Sequence, residues 1–245
     1  MKSLAFLLPI IVLIGCTDSS KTTTELKNNA STIEELVNKY QILLTNKASF
    51  KDHTALNGAS AFLIEYKQGI YAVTAKHLLG EAGGVAPELK PDDLATYLTS
   101  WKLFPRVGSA LSTDTVIIKK SDFNYKSSTS DILLLRTEDL AGKQYALTPT
   151  FKLPKENDPL FIIGCPYSEA DCKQNTYSVT YVGYDEDSHS IVCLITEKVE
   201  LAGFSGAPIL DVNGHVVALL TGSVANEGKE YVMGTFIKEI EKITP

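Results

Sequence analysis

Three short segments of this sequence carry side chains that together could perform nucleophilic acyl chemistry. They are Thr74-Ala75-Lys76-His77, Asp131-Ile132-Leu133-Leu134-Leu135, and Gly203-Phe204-Ser205-Gly206-Ala207-Pro208. A serine hydroxyl attacks an acyl carbon when a histidine takes its proton and a carboxylate holds that histidine in the right tautomer. The order His77, Asp131, Ser205 is one of a few orders in which proteins build this system. We therefore predict that these three residues are catalytic.

The local context of His77 and Asp131 suits those roles. His77 follows the apolar run Ile70–Val73, so a strand end would hold its backbone while its side chain reaches into a cleft. Asp131 precedes the apolar run Ile132–Leu135. A carboxylate there is costly to bury unless a donor pairs with it, and a histidine N–H is such a donor. Taken singly, His77 also fits an ordinary surface or core histidine, and Asp131 a turn aspartate.

The glycines around Ser205 suit a tight loop. Gly203 and Gly206 flank the serine, and glycine allows backbone conformations in which successive amides point into one pocket. We predict an oxyanion hole made by the amides of Gly203 and Ser205. Taken alone, the segment also fits a Gly-Ser turn before a strand.

Short β-type runs dominate the chain from about residue 55, and only its end returns to helical spacing. The predicted strands are Ser60–Tyr66, Ile70–Thr74, Thr115–Lys119, Ile132–Arg136, Leu160–Ile163, Tyr177–Gly183, Ile191–Thr196, Pro208–Asp211, Val216–Leu220 and Tyr231–Thr235. Many short strands without alternating helices favour an antiparallel barrel or sandwich. Residues 80–112 are predicted to form a long insertion with one short helix near 91–100.

The first residues have the pattern of an export signal. Lys2 supplies a positive start, and Leu4–Ile14 form an apolar run too short to span a bilayer comfortably. The segment Leu13-Ile14-Gly15-Cys16 resembles the lipobox of bacterial lipoproteins; the alternative is an ordinary secretory signal. We predict a lipoprotein signal peptide at 1–15, lipidation of Cys16 and a flexible polar tether at 16–30. The protein would be exported and anchored by lipid to a bacterial membrane, on its periplasmic or cell-surface side.

A helix is predicted to follow the tether, over residues 31–47. Ser31 and Glu34 form a capping box, in which each side chain bonds a free amide of the first turn. Apolar residues follow at one helical face: Ile33, Leu36, Val37, Tyr40, Leu43 and Leu44. We expect this amphipathic helix to pack on the domain that follows, with a dimer contact as the alternative.

The net charge bears on the possible binding partners, and the cysteine count bears on disulfides and metal sites. The 245 residues are 44% hydrophobic, and the net charge of −6 without a basic run speaks against a nucleic-acid partner. Beyond Cys16, three cysteines remain. Cys165 and Cys172 could close a small disulfide loop, or Cys165 and Cys193 could be buried as apolar residues. No metal site is predicted, because no histidine or second cysteine lies at ligand spacing from them.

The three segments together resemble the trypsin/chymotrypsin-like serine proteases, specifically the bacterial trypsin-like members. His77 ends a match to the family's T-A-A/S-H motif, Asp131 begins a match to D-I/L-A-L/V-L, and Ser205 lies in a match to G-D/N-S-G-G/S-P/A. The resemblance implies an all-β fold of two six-stranded antiparallel β-barrels and a C-terminal helix, within a protease domain at 53–245. It implies a serine endopeptidase that acts on proteins or peptides and needs no cofactor.

The resemblance also implies which residues line the substrate cleft. Val199, Glu200 and Leu201 would help form the primary pocket, and Thr221, Gly222 and Ser223 would line the substrate on the strand after the nucleophile. No aspartate aligns with the base of that pocket, which argues against a preference for arginine or lysine, although the nearby Glu200 weakens this argument. The other histidines, His53, His189 and His215, are predicted to be exposed to solvent.

Three departures from the family pattern support an alternative. Phe204 replaces an aspartate or asparagine, Ala207 replaces a glycine, and Lys76 replaces a small residue and is expected to point outward. Phe204 and Ala207 could tilt the Gly203 amide out of the oxyanion hole. The protein would then be a catalytically inactive lipoprotein that binds peptides in a protease-like cleft.

An α/β-hydrolase esterase is a second alternative, because its nucleophile motif is G-x-S-x-G. In this chain the last position of that motif is Ala207. The only histidine after Ser205 is His215, with only Asp211 between them as an acid. This alternative therefore ranks below the other two.

Overall fold

The structure, a computed structural model, describes residues 32–106, 115–119, 129–138 and 145–243. The predicted signal peptide and tether and Cys16 lie outside these residues. Residues 32–39 are helical, and Leu94–Tyr97 form a second short helix. The strands are β1 Leu44–Phe50, β2 Leu56–Tyr66, β3 Gly69–Thr74, β4 Leu98–Phe104, β5 Val116–Ile117, β6 Leu133–Arg136, β7 Ala146–Leu147, β8 Pro159–Gly164, β9 Asn175–Asp185, β10 Ser190–Ile195, β11 Pro208–Leu210, β12 Val216–Asn226 and β13 Lys229–Phe236. Four 3₁₀ turns complete the described elements: Lys76–Leu79, Glu81–Gly83, Pro91–Asp93 and Ile237–Lys242.

The second half of the chain forms a closed antiparallel barrel of six strands in the order β10-β13-β12-β11-β8-β9. Closure removes the free edges that an open sheet would expose. Burial alternates along β9, where Tyr177, Val179 and Tyr181 are buried and Ser178 is exposed. β8 and β11 are instead buried at nearly every position. The predicted second barrel is confirmed.

The first half forms a curled sheet in the order β5-β4-β1-β2-β3-β6, with the short β7 pairing parallel to β2. Its two edges approach each other, because Ile118 and Thr137 form an isolated bridge and the Lys119 amide donates to the Arg136 carbonyl at 2.8 Å. Six strands thus curl most of the way round, although within the described residues the edges meet only through these contacts. The all-β, trypsin-like architecture is confirmed, with one closed barrel and one curled sheet.

The predicted helix at 31–47 is wrong in its second half. Helical residues end at 39, and Leu44–Phe50 form β1, which pairs with β2 and β4. Leu44, Ala48 and Phe50 alternate into the core, and Asn46 between them is buried although polar. Asn46 is tolerated because its side chain bonds the Trp101 indole at 3.1 Å and a neighbouring carbonyl and hydroxyl at 3.2 Å each. The first sheet therefore begins at Leu44, ahead of the predicted domain start at 53.

The predicted insertion at 80–112 contains a core strand. A short helix is present at Leu94–Tyr97, as expected, but the next residues form β4 rather than continuing the helix. Trp101, at the middle of β4, is 1% exposed and packs edge-on against Phe50. Burial of this large aromatic side chain makes β4 part of the first sheet rather than a surface addition.

The helix at 32–39 buries Ile33 and Val37, and its Leu36 side chain lies close to Gly214, in the turn between β11 and β12 of the second barrel. Its C-terminal end is held by one side chain, Gln174. The Gln174 amide donates to the Val37 and Tyr40 carbonyls at 2.6 Å, and its oxygen accepts from the Ile42 and Leu43 amides at 2.9 and 3.0 Å. The last carbonyls of a helix lack partners of their own. The Gln174 side chain supplies partners for two of these carbonyls, at the point where the helix ends and before β1 begins.

The C-terminal segment is helical, as predicted, but it is a 3₁₀ turn, Ile237–Lys242. Ile237 and Ile240 are fully buried, so the turn closes one end of the core. No helix within the described ranges is long and apolar enough to cross a membrane.

Candidate active site

The structure brings His77 and Asp131 together at one end of the first sheet. β3 and β6 are antiparallel, with Thr74 opposite Leu133, so the residues just after β3 lie beside those just before β6. His77 lies in the 3₁₀ turn after β3. Its backbone amide donates to Asp131 Oδ1 at 2.8 Å, and its Nδ1 pairs with Asp131 Oδ2 at 2.5 Å. Asp131 therefore fixes both the main chain and the ring of His77, which leaves Nε2 to face other groups.

Contacts on either side of Asp131 hold its turn in place. The Lys76 ammonium donates to the Thr129 carbonyl at 3.1 Å, so Lys76 reaches across to the neighbouring segment instead of pointing outward as expected. The Ser130 hydroxyl donates to the carboxylate of Glu239, which also accepts two bonds from Lys242 at 2.8 Å. Burial by itself would raise the pKa of Glu239, but the bonds from Lys242 and Ser130 outweigh it and lower that pKa.

The loop with Ser205 docks on the first sheet at Ser60. The Ser60 amide donates to the Ser205 carbonyl and the Ser60 hydroxyl donates to the Gly203 carbonyl, both at 2.8 Å. Gly206, with φ +88°, lies so close that a Cβ there would be 2.1 Å from the Ser60 carbonyl oxygen and 2.8 Å from Thr74 Oγ1. Only glycine permits this approach. The contact with Thr74, at the end of β3, brings the Ser205 loop to the segment that carries His77.

The backbone around Ser205 leaves two amides without a partner in the protein. The peptide carbonyls are all held: Ala202 by the Tyr167 amide at 3.0 Å, Gly203 by the Ser60 hydroxyl at 2.8 Å, Phe204 by the Ala207 amide at 2.7 Å and Ser205 by the Ser60 amide at 2.8 Å. Within the part of the chain that the structure describes, the amides of Gly203 and Ser205 donate to no acceptor. Gly203 and Ser205 are both half-buried. Backbone N–H groups without a protein acceptor are the kind of donor that an oxyanion hole uses.

The departures Phe204 and Ala207 anchor the loop on its core side. The Phe204 ring is fully buried and packs edge-on against Tyr177, with centroids 5.3 Å apart. The Phe204 amide donates to the Leu201 carbonyl at 3.1 Å. Ala207 is also buried, and its carbonyl accepts from the Leu220 amide at 2.8 Å. The Phe204 ring therefore packs on β8 and β9 of the second barrel, and the Ala207 backbone pairs with β12.

The Phe204 ring lies directly over Gly164, so a side chain at position 164 would displace it. A Cβ at Gly164 would be 2.1 Å from Phe204 Cε1. Gly164→Ala must therefore push the ring and the loop next to Ser205. We expect an unfolding free energy lower by about 1–3 kcal/mol. Because a displacement of about 1 Å at a reacting group can cost about 100-fold, reaction of Ser205 with a fluorophosphonate should slow by roughly that factor.

A matched control separates this effect from the addition of a methyl group to the same barrel. Gly183 lies on β9, and a Cβ there meets nothing within 4 Å. Gly183→Ala should leave melting temperature and labelling rate unchanged. If Gly164→Ala matched Gly183→Ala in melting temperature and labelling rate, the position of the Phe204 ring would not depend on glycine at position 164.

The three predicted catalytic residues thus converge on one junction between the sheet and the barrel, but their contacts differ. Asp131 and His77 are hydrogen-bonded. Among the described residues, no hydrogen bond joins the Ser205 hydroxyl to His77. Such bonds are often long in enzymes without substrate.

A cavity of about 320 Å³ opens beside Asp131. Its lining includes Asp131, Thr221 and Met233. Of the predicted substrate residues, Thr221 thus faces the same cavity as Asp131, while Gly222 is half-buried and Ser223 exposed on β12.

The predicted pocket residues Val199, Glu200 and Leu201 lie on the connection that leads from β10 to Ser205. Val199 and Leu201 pack against the hydrophobic core, and Glu200 is exposed. Glu200 therefore does not form a buried acidic base for a pocket.

Cys165 and Cys172 form a disulfide, while Cys193 is a buried free thiol whose pKa burial raises to about 12.

The three histidines other than His77 were predicted to be exposed, but they are half-buried. His53 donates to the Pro87 carbonyl at 2.7 Å, His189 lies 4.0 Å from Glu239, and His215 lies 3.4 Å from Asp211.

Sequence reasoning missed two residues that shape the site, Ser60 and Tyr167. Ser60 begins a predicted strand but carries no signal beyond strand propensity, and Tyr167 lies in a polar loop. Their contacts join segments more than 100 positions apart, such as Ser60 with Gly203 and Ala59 with Tyr167. Local sequence patterns cannot predict contacts between residues so far apart in the chain.

Comparison with known proteins agrees with this geometry. The sequence model of one family, described as "Trypsin-like peptidase domain", matches residues 59–219, a span that includes His77, Asp131 and Ser205. No curated protein matches the sequence significantly.

Solved structures of proteases share the fold. The inactive form of the Rv3671c protease has a TM-score of 0.55 and 15% identity, over 90% of this chain and 95% of its own. The active form of the M. tuberculosis Rv3671c protease has a TM-score of 0.53 and 16% identity, over 89% and 83%. The serine endoprotease from Yersinia pestis has a TM-score of 0.53 and 14% identity, over 85% of this chain and 64% of its own.

Proposed function

Because the chain belongs to the family of trypsin-like peptidase domains, we propose that it is a serine endopeptidase that cleaves proteins or peptides. The observation that carries this proposal is the pair of amides at Gly203 and Ser205, which have no acceptor within the described residues. A cleft that only held peptides would not need them. They are the groups that stabilise the oxyanion of acyl transfer, a contribution of about 3–4 kcal/mol for one donor in serine proteases.

The proposed reaction follows from the positions of these groups. Ser205 Oγ attacks the peptide carbonyl carbon, and its proton moves to His77 Nε2. Asp131 holds Nδ1 protonated and stabilises the imidazolium that forms. The Gly203 and Ser205 amides bind the oxyanion. His77 then gives the proton to the leaving amine, and water hydrolyses the acyl-enzyme by the same route.

A fluorophosphonate probe tests this proposal without a known substrate. Ser205 Oγ would bond to the probe's phosphorus, fluoride would leave, and His77 would take the hydroxyl proton. The full chain, purified in detergent, should be labelled at Ser205, whereas Ser205→Ala and His77→Ala should not. A folded wild type that stays unlabelled would contradict the proposal and favour the inactive peptide-binding lipoprotein.

We also propose that the protein is exported and held on a bacterial membrane by lipid at Cys16. The support is the apolar run followed by Leu13-Ile14-Gly15-Cys16. Mass spectrometry of the membrane fraction should find an N-terminus at Cys16 with attached acyl chains. Cys16→Ser should abolish that modification, and an unchanged N-terminal Met1 in the wild type would contradict the proposal.

A further inference from the structure

Tyr167 holds the peptide that precedes Gly203. Its amide donates to the Ala202 carbonyl at 3.0 Å. In a trans peptide the carbonyl and the following N–H point in opposite directions. With the Ala202 carbonyl held by Tyr167, the Gly203 N–H therefore points away from the Tyr167 amide.

The ring of Tyr167 adds a steric restraint on Gly203. Gly203 has φ +97°, and a Cβ there would lie 2.9 Å from both Cδ1 and Cε1 of Tyr167. The ring thus covers the Cα of Gly203. A rotation of the Ala202–Gly203 peptide would have to break the bond to the Tyr167 amide and move the chain against this ring.

The hydroxyl of Tyr167 connects this restraint to the first sheet. It accepts a hydrogen bond from the Ala59 amide at 2.5 Å. The pairing of β1 with β2 skips Ala59, since Thr45 faces Ser60 and Asn46 faces Gly58. Ala59 is therefore the extra residue of a β-bulge, with φ +55° and an amide free of the ladder. Tyr167 is the acceptor for that amide.

The loop that presents Tyr167 is itself held at both ends. The Cys165–Cys172 disulfide closes it. Arg106, which follows β4 in the first sheet, donates to the Cys165 and Pro166 carbonyls at 2.9 and 2.7 Å, and its guanidinium lies 5.3 Å from the centre of the Tyr167 ring. Although Tyr167 is 51% exposed, both halves of the fold fix its position.

From these contacts we propose that Tyr167 is a positioning residue of the oxyanion hole. It holds the Ala202–Gly203 peptide in the orientation that presents the Gly203 N–H to the acyl oxygen, and its hydroxyl sets that orientation relative to the first sheet, which carries His77. This role rests on the proposed function, because a hole has a use only if Ser205 reacts. Neither His77 nor Asp131 is among the hydrogen-bond partners of Tyr167.

The test measures how fast the fluorophosphonate reacts with the full chain, resolved into the maximal rate kinact and the binding constant KI. Tyr167→Phe keeps the ring and removes the link to Ala59; kinact should fall roughly 10-fold. Tyr167→Ala also removes the ring; kinact should fall about 100-fold, the order seen when one oxyanion donor is lost. KI should stay within about twofold, because a loss confined to the transition state leaves ground-state binding unchanged.

Two further readouts separate positioning from a general structural effect. The pH dependence of kinact should not move, since the hydrogen bonds of Tyr167 go to Ala59 and Ala202 and not to His77 or Asp131. Tyr66→Phe is the matched control, because Tyr66 lies at the opposite end of β2 from Ala59. The kinact of this variant should equal that of the wild type.

The outcomes distinguish this role from the proposed function. An unlabelled wild type would overturn the proposed function itself. If the wild type is labelled and both Tyr167→Phe and Tyr167→Ala react with the wild-type kinact, the role of Tyr167 alone is overturned. If Tyr167→Ala fails to fold, Tyr167→Phe decides: a shifted pH profile or an equal loss in kinact and affinity would show a structural role and overturn the proposal.

Discussion

Ser205→Ala is expected to reduce kcat for a cleavable peptide by about 10⁶-fold, the loss seen when the nucleophile of a serine protease is removed. The change deletes only Oγ. The Ser205 carbonyl still accepts from the Ser60 amide, and the amides of Gly203 and Ser205 remain free. Fold and peptide binding should therefore persist, with the affinity for a peptide substrate unchanged within about twofold. Measurement requires a substrate selected from a peptide library with the wild type.

The control for Ser205→Ala is the same substitution at an exposed serine of the second barrel. Ser178 lies on β9 and is exposed, so Ser178→Ala should cleave at the wild-type rate. If Ser205→Ala retained full turnover, the nucleophile would have to be another residue. If both the wild type and Ser205→Ala bound peptides without cleaving them, the cleft would serve binding alone.

Asp131→Asn is expected to lower kcat by about 10⁴-fold at neutral pH while the protein stays folded. In the wild type, Asp131 accepts from the His77 amide with one oxygen and pairs with Nδ1 through the other. Asparagine has only one acceptor oxygen, which the His77 amide would occupy, so its NH₂ group would face Nδ1. Nδ1 must then accept, and the proton moves to Nε2. A histidine in that tautomer cannot take the proton of Ser205, which is the origin of the loss in related triads.

NMR of the imidazole nitrogens measures the cause directly: the ring proton of His77 should be on Nδ1 in the wild type and on Nε2 in Asp131→Asn. Asp171→Asn, at an exposed loop position, is the control for the loss of one negative charge and should behave as the wild type. A variant Asp131→Asn with kcat within about tenfold of the wild type would contradict the proposed role of Asp131.

The parts of this protein that local patterns predicted are those in which residue type and spacing carry the information. Alternating or continuous apolar runs predicted the strands of the second barrel and β2, β3, β5 and β6 of the first sheet, since burial on one or both faces demands such runs. The motifs around His77, Asp131 and Ser205 predicted the family, which the match over 59–219 confirms. The order of these residues along the chain is a property of sequence alone.

Three strands escaped prediction: β1, β4 and the two-residue β7. For β1 and β4 there is a physical reason. β1 has a buried polar residue, Asn46, where a strand pattern calls for an apolar one. In β4 the alternation breaks at two consecutive exposed polar residues, Thr99 and Ser100, where the pairing with β1 shifts register. Asn46 is stable inside only because Trp101 and groups from β2 and β3 bond its amide. Those partners exist only once the sheet has formed.

The tertiary structure alone decided how the site is held. Which amides near Ser205 stay free depends on Ser60 and Tyr167, which satisfy the neighbouring carbonyls from distant segments. The turn at Asp131 depends on Glu239, and the end of the N-terminal helix on Gln174. The sequence by itself determined which side chains could react. Hydrogen bonds between segments far apart in the chain determined their orientation, because direction and distance arise only from packing in three dimensions.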